Sequence, residues 1–213
     1  MRLAATGLTL AISTGPLAAC ADRPAGVSAV PITPAASYSE QTDAIFRYHS
    51  VRLRLSLAVP GPEWTINDRV RSKLVAIHAP TSSRITVAVL RTDDLVGRHE
   101  CETRARAAGL TTAANLRVID DEVAVTQGSF DTRIAVGLEP RRDEHAPLVG
   151  HVLAFGGFLR KCYVFDYSTE VPHDEEEPVL SSRLAFARTR ILNGLELDAV
   201  AGVSEPPAGT AKR

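Results

Sequence analysis

Three cysteines, six histidines and one run of carboxylates are the groups through which this chain of 213 residues could do covalent or acid–base chemistry. Cys101 stands in the order His99-Glu100-Cys101-Glu102, which puts an imidazole and two carboxylates beside a thiol, the residue types of a cysteine nucleophile. Catalytic partners meet in the fold and not along the chain, so this nearness alone names no active site. The histidines (His49, His78, His99, His145, His151 and His173) are scattered, with no i, i+4 pair to put two imidazoles on one side of a helix. His151 alternates with Leu153 and Phe155 and reads as a hydrogen-bonded core residue. His173-Asp174-Glu175-Glu176-Glu177 offers oxygens to a hard cation such as calcium, but consecutive side chains diverge, and the run reads as a solvated helix N-terminus. The sequence holds no phosphate loop, G-x-G-x-x-G, G-x-S-x-G or H-E-x-x-H. These patterns name no catalytic residue, no metal ligand and no cofactor.

The third thiol sits where location is decided. Residues 1–19, MRLAATGLTLAISTGPLAA, carry one charge at Arg2, an apolar stretch from Leu3 to Ile12, a Gly15-Pro16 break and then small residues. A membrane span needs about 20 consecutive apolar residues, so this shorter, interrupted run reads as an export signal. Leu17-Ala18-Ala19-Cys20 resembles the lipobox of bacterial lipoproteins. The resemblance implies cleavage before Cys20 by signal peptidase II, transfer of a diacylglycerol with palmitate-type chains to its thiol, and a membrane anchor. An ordinary Ala-x-Ala-like cleavage site with an incidental cysteine is the other reading of these residues. In the family's sorting rule an Asp after the lipidated Cys retains the protein in the inner membrane; Ala21 stands there, which implies the outer membrane, facing the periplasm. One acyl chain gives marginal membrane affinity, whereas the three of a mature lipoprotein hold it.

Removing Cys20 leaves Cys101 and Cys162, an even number in an exported protein. An oxidising compartment makes a Cys101–Cys162 disulfide the expectation, with two free thiols or a catalytic Cys101 as the alternatives. Residues 20–43, rich in Pro, Ala, Ser and Thr without helical or strand period, read as the lipidated cysteine and a flexible tether. Residues 199–213, with Pro206-Pro207, read as a disordered tail. One folded domain, 44–198, remains.

Within that domain Val51, Leu53, Leu55, Leu57 and Val59 alternate with Arg52, Arg54, Ser56 and Ala58 and predict one strand ending at Pro60-Gly61-Pro62. Further strands are expected at Leu74–His78 and Arg84–Leu90 about a Pro80–Ser83 turn, and at Val118–Thr126 and Thr132–Leu138 about Gln127-Gly128-Ser129. Val149–Tyr167 is too long for one strand, and Gly156-Gly157 predicts the break. Asp93 or Asp94 would cap a helix running to Ala108 before Gly109, with Cys101, Ala105 and Ala108 on its apolar face. A second helix opens at Asp174–Pro178, buries Leu180, Leu184, Ala187, Ile191 and Leu195, and turns Arg183, Arg188 and Arg190 to solvent. Arg141-Arg142-Asp143-Glu144-His145 reads as a polar hairpin loop. Hairpins plus two helices give an α+β class, a mainly antiparallel sheet of about six strands packed with helices.

This order of elements, with Val59-Pro60-Gly61-Pro62-Glu63-Trp64 after the first strand and a long amphipathic helix at the end, resembles the PsbP/Mog1-like α/β/α sandwich. The resemblance implies a binding or assembly module without cofactor chemistry. A net charge of −1 supplies no basic field for nucleic acid, and 45% hydrophobic residues are enough to build a core. The expected protein is thus a lipid-anchored, non-catalytic binding or scaffolding domain with an envelope protein partner, the alternative being a lipid-anchored envelope hydrolase.

Overall fold

The computed structural model describes residues 45–198 apart from 71, 112–114 and 127–129. The signal, Cys20, the tether, the tail and the Gln127–Ser129 turn lie outside the described residues. The strands are β1 (Ile45–Ser50), β2 (Leu55–Pro60), β3 (Thr65–Asn67), β4 (Lys73–His78), β5 (Ser83–Arg91), β6 (Arg117–Thr126), β7 (Phe130–Leu138), β8 (Leu148–Phe158), β9 (Lys161–Val171) and β10 (Glu196–Leu197). The helices are α1 (Arg98–Ala107) and α2 (Glu177–Phe186), and α2 continues as a π-helical segment, Ala187–Leu192.

Seven strands form one antiparallel sheet in the order β3-β4-β5-β9-β8-β7-β6, and β1-β2-β10 form a second, smaller one. Alternation in the central strands sends side chains to two different cores. Val152 and Ala154 of β8 and Tyr163, Phe165 and Tyr167 of β9 join Leu55, Leu57 and Val59 of β2 and Leu180, Leu184, Ala187 and Ile191 beneath one face. Leu153, Phe155, Cys162 and Val164 meet Cys101 and Ala105 of α1 on the other. The result is a three-layer α+β sandwich, and burial of both sheet faces explains why β8 and β9 read as near-continuous apolar runs.

Several local expectations change. The alternating run from Val51 to Val59 is two elements: residues 51–54 form the turn of the β1–β2 hairpin, with Arg54 at φ 55° and Val51 exposed, and only 55–60 is strand. Period-two patterning continued by chance through a turn. Helix α1 starts one residue after Gly97 with no side-chain cap, so Asp93 and Asp94 do not cap it, and Ala108 is exposed. Gly109 does take the left-handed conformation expected after the helix, at φ 63°. Gly156 and Gly157 lie inside β8, and the chain turns instead at Leu159 and Arg160, with Leu159 at φ 51°. These glycines are required by close approach. A Cβ on Gly156 would stand 2.0 Å from the Tyr163 ring, and one on Gly157 would stand 2.5 Å from the Gly97 backbone. Arg183 is buried at 2% exposure; its Nη1 donates to the carbonyls of Thr81 and Glu170 and to Thr169 Oγ1. The described residues hold ten strands where about six are expected, chiefly because β1, β3 and β10 are too short or too polar to show a period.

Candidate functional site

The two cysteines within the domain are joined. Cys101 on α1 and Cys162 on β9 form a disulfide with a Cα–Cα distance of 5.4 Å across 61 residues of sequence. Both sulfurs are therefore committed, and Cys101 offers no thiolate to the exposed His99 two residues away. Its neighbour Glu102 is 8% exposed and accepts hydrogen bonds from Arg106, at 2.8 Å, and Arg133, at 2.7 Å. Burial pushes the Glu102 carboxyl upward, but these two guanidinium donors outweigh it and hold the group below the usual carboxylate range. Arg106 also lies over the Phe155 ring, 5.6 Å from its centroid. The cluster pins α1 to β7 and β8.

A second polar cluster is largely internal and reaches the surface through Glu63, whose Oε2 lies 3.2 Å from His78 Nε2. Ser83 Oγ donates to Thr169 Oγ1 at 2.9 Å and lies 2.7 Å from Thr81 Oγ1, which in turn meets His78 Nδ1 at 2.7 Å. Ser83 and Thr81 are 1% and 3% exposed, so these hydroxyls are buried. The cluster fixes the 79–81 turn to the end of β9.

The third cluster reaches the surface. His151, 2% exposed on β8, stands between Asp166 of β9, 3.0 Å from Nδ1, and Glu139 just past β7, 2.9 Å from Nε2. A neutral imidazole has one donor, whereas here both ring nitrogens face carboxylate oxygens. Only the imidazolium satisfies both. Burial opposes the charge, and the hydrogen bonds and charges of Asp166 and then Glu139 outweigh it, so the His151 pKa is raised.

Glu139 opens into a cleft of about 430 Å³ at this end of the sheet, within the size range of small-molecule sites. Leu138 and Leu148 supply its apolar wall, and Arg117, Arg141, Asp174 and Glu177 its charges. Arg141 Nη2 is ion-paired with Asp174, while its Nε is buried and has no hydrogen-bond partner among the described residues. Such a donor costs about 1–3 kcal/mol while unsatisfied. Among the described residues the cleft lining contains no Ser, Thr, Cys, Lys or Tyr; its polar side chains are two arginines and three carboxylates.

The acidic run is divided between structures: Asp174–Glu176 form a 3₁₀ turn and Glu177 begins α2. Among the described residues no group of three His, Cys, Asp or Glu side chains could hold a metal ion. The grouping of Asp166, His151, Glu139 and the cleft was not expected from sequence, because its members lie on three strands and the 3₁₀–α2 corner.

No family model matches the chain, and no curated protein matches it by sequence. In structure it is similar to the Ran-binding protein Mog1p of Saccharomyces cerevisiae, with a TM-score of 0.52 and 12% identity over 72% of this chain and 95% of that one. Cyanobacterial PsbP (CyanoP) from Synechocystis sp. PCC 6803 gives 0.46 and 12%, covering 72% and 92%. LpqN of Mycobacterium tuberculosis, described as involved in cell envelope biogenesis, gives 0.46 and 11%, covering 73% and 91%. The chain also spans about half, 48%, of a Bacteroides thetaiotaomicron structure at a TM-score of 0.43 and 6% identity. At such identities the likeness to Mog1p is one of fold alone, an α/β/α sandwich in both.

Proposed function

We propose that this protein is a lipid-anchored, non-catalytic binding or scaffolding domain of the bacterial cell envelope, facing the periplasm as an accessory to an envelope complex. The observation that carries the binding reading is the cleft beside Glu139, which offers charges of both signs over an apolar wall. The other polar clusters tie elements together: Glu102, Arg106 and Arg133 join α1 to β7, and Thr81, Ser83 and Thr169 join the 79–81 turn to β9. The Cys101–Cys162 bridge supports an oxidising compartment, and the Leu17–Cys20 segment supports the anchor. Among the described residues no helix is long and apolar enough to cross a membrane. Mog1p, on the same fold, is described as binding a protein, Ran, which agrees with a binding role and names no partner here.

An anchored accessory contributes position and local concentration, so the anchor matters more than any single polar side chain. Complementation of a deletion strain tests this. Cys20→Ser and removal of residues 22–43 are expected to abolish function, while His99→Ala, an exposed change on α1, leaves it intact. Loss of function in a folded, anchored His99→Ala protein, with the Cys20→Ser form still active, would contradict the proposal and favour an envelope hydrolase.

A further inference from the structure

The charges of the cleft fall into two kinds once its internal pairs are set aside. Asp174 is taken by Arg141, and Glu139 by the His151 imidazolium. Arg117, at the start of β6, and Glu177, at the start of α2, are exposed and have no ion-pair or hydrogen-bond partner among the described residues. One free guanidinium and one free carboxylate thus line the same cleft from different elements, above the apolar wall of Leu138 and Leu148. Arg141, also in the lining, adds a buried Nε without a hydrogen-bond partner among the described residues on the cationic side. Glu139, with its backing imidazolium, adds a second carboxylate on the anionic side.

We propose that this cleft binds a small zwitterion, an amino acid or short peptide with a free ammonium and a free carboxylate. The ligand carboxylate is held by Arg117, with Arg141 Nε beside it, because a guanidinium fits a carboxylate in bidentate geometry. The ammonium is held by Glu177 and the outward oxygen of Glu139, and the short side chains lie on Leu138 and Leu148. A simple anion would leave Glu177 and Glu139 facing like charge, and a simple cation would leave Arg117 and Arg141 in that position. A zwitterion alone matches both. The inference rests on the reading of the domain as a binding module and assigns the ligand class to its cleft.

The test is calorimetric titration of the full chain with L-alanyl-L-alanine, its N-acetyl derivative and its C-terminal amide, at low salt. The unblocked dipeptide is expected to bind, with each blocked form weaker by about tenfold, the effect of losing one charge-assisted contact. Glu177→Gln should shrink the penalty of acetylation and leave that of amidation, and Arg117→Gln should do the reverse. Equal affinity for all three probes, or no binding of the dipeptide at millimolar concentration, would overturn the assignment. Recovering the bound dipeptide afterwards separates the two claims: intact dipeptide supports both, whereas release of free alanine would overturn the non-catalytic reading and leave the ligand assignment standing.

Discussion

His151 shows how a single buried side chain can make part of the stability depend on pH. Its pKa is raised in the folded protein above the ordinary 6.5, because Asp166 and Glu139 outweigh the burial that opposes its charge. A raised folded pKa means that the contribution is complete below the unfolded value and is lost as pH rises through the folded value. Urea denaturation of the native protein and of His151→Gln, from about pH 6 to about pH 9, should therefore show a stability difference that is largest at the acid end and shrinks with rising pH. A difference that grows toward alkaline pH would mean a neutral imidazole between the two carboxylates. The sequence placed His151 in the core from its alternation with Leu153 and Phe155. Its partners could not be read, since Asp166 and Glu139 meet it only through the β7–β8–β9 register. Arg183 carried a usable signal that charge obscured. It lies three residues after Leu180 and four before Ala187, within the apolar stripe, and there it donates to backbone carbonyls of the 79–81 turn and β9.

Elements assemble here through close backbone approach as much as through apolar area. Gly157 lets the entry to α1 sit directly on β8, and the atoms that a Cβ would meet, Val96 O at 2.6 Å and Gly97 C at 2.5 Å, are backbone with little freedom to withdraw. Gly157→Ala should destabilise the domain by about 1–3 kcal/mol, as overpacking does, read as a lowered urea midpoint at constant slope. An unchanged midpoint would show that α1 can shift freely on the sheet. The Cys101–Cys162 bridge lies at the same junction, and closing 61 residues of sequence contributes up to about 4 kcal/mol by restricting the unfolded chain. The sequence marked Gly156-Gly157 as special but for a different reason. Paired glycines in a long apolar run are compatible with a turn or with a tight contact, and only the third dimension decides between them. The β1–β2 hairpin was hidden in the same way, because Val51 and Leu53 extended the alternation of β2 through four turn residues.

At the scale of the molecule, hairpin order and two amphipathic segments were enough to indicate an antiparallel sheet with helices, and the sandwich has that form. The division into layers followed from strands buried on both faces, which local periodicity shows only as a continuous apolar run. The cleft was not legible, since it forms where the start of β6, the end of β7 and the 3₁₀–α2 corner converge. Location rests on residues outside the sandwich. In the proposed reading the domain works through where it is held, which makes the chemistry of Cys20 the central claim. Intact-mass measurement of the protein extracted from its own membranes tests it directly. The account predicts a chain lacking residues 1–19 and carrying a lipid-sized increment that maps to Cys20. A mature protein with an unmodified Cys20, or one that retains Met1–Ala19, would contradict it.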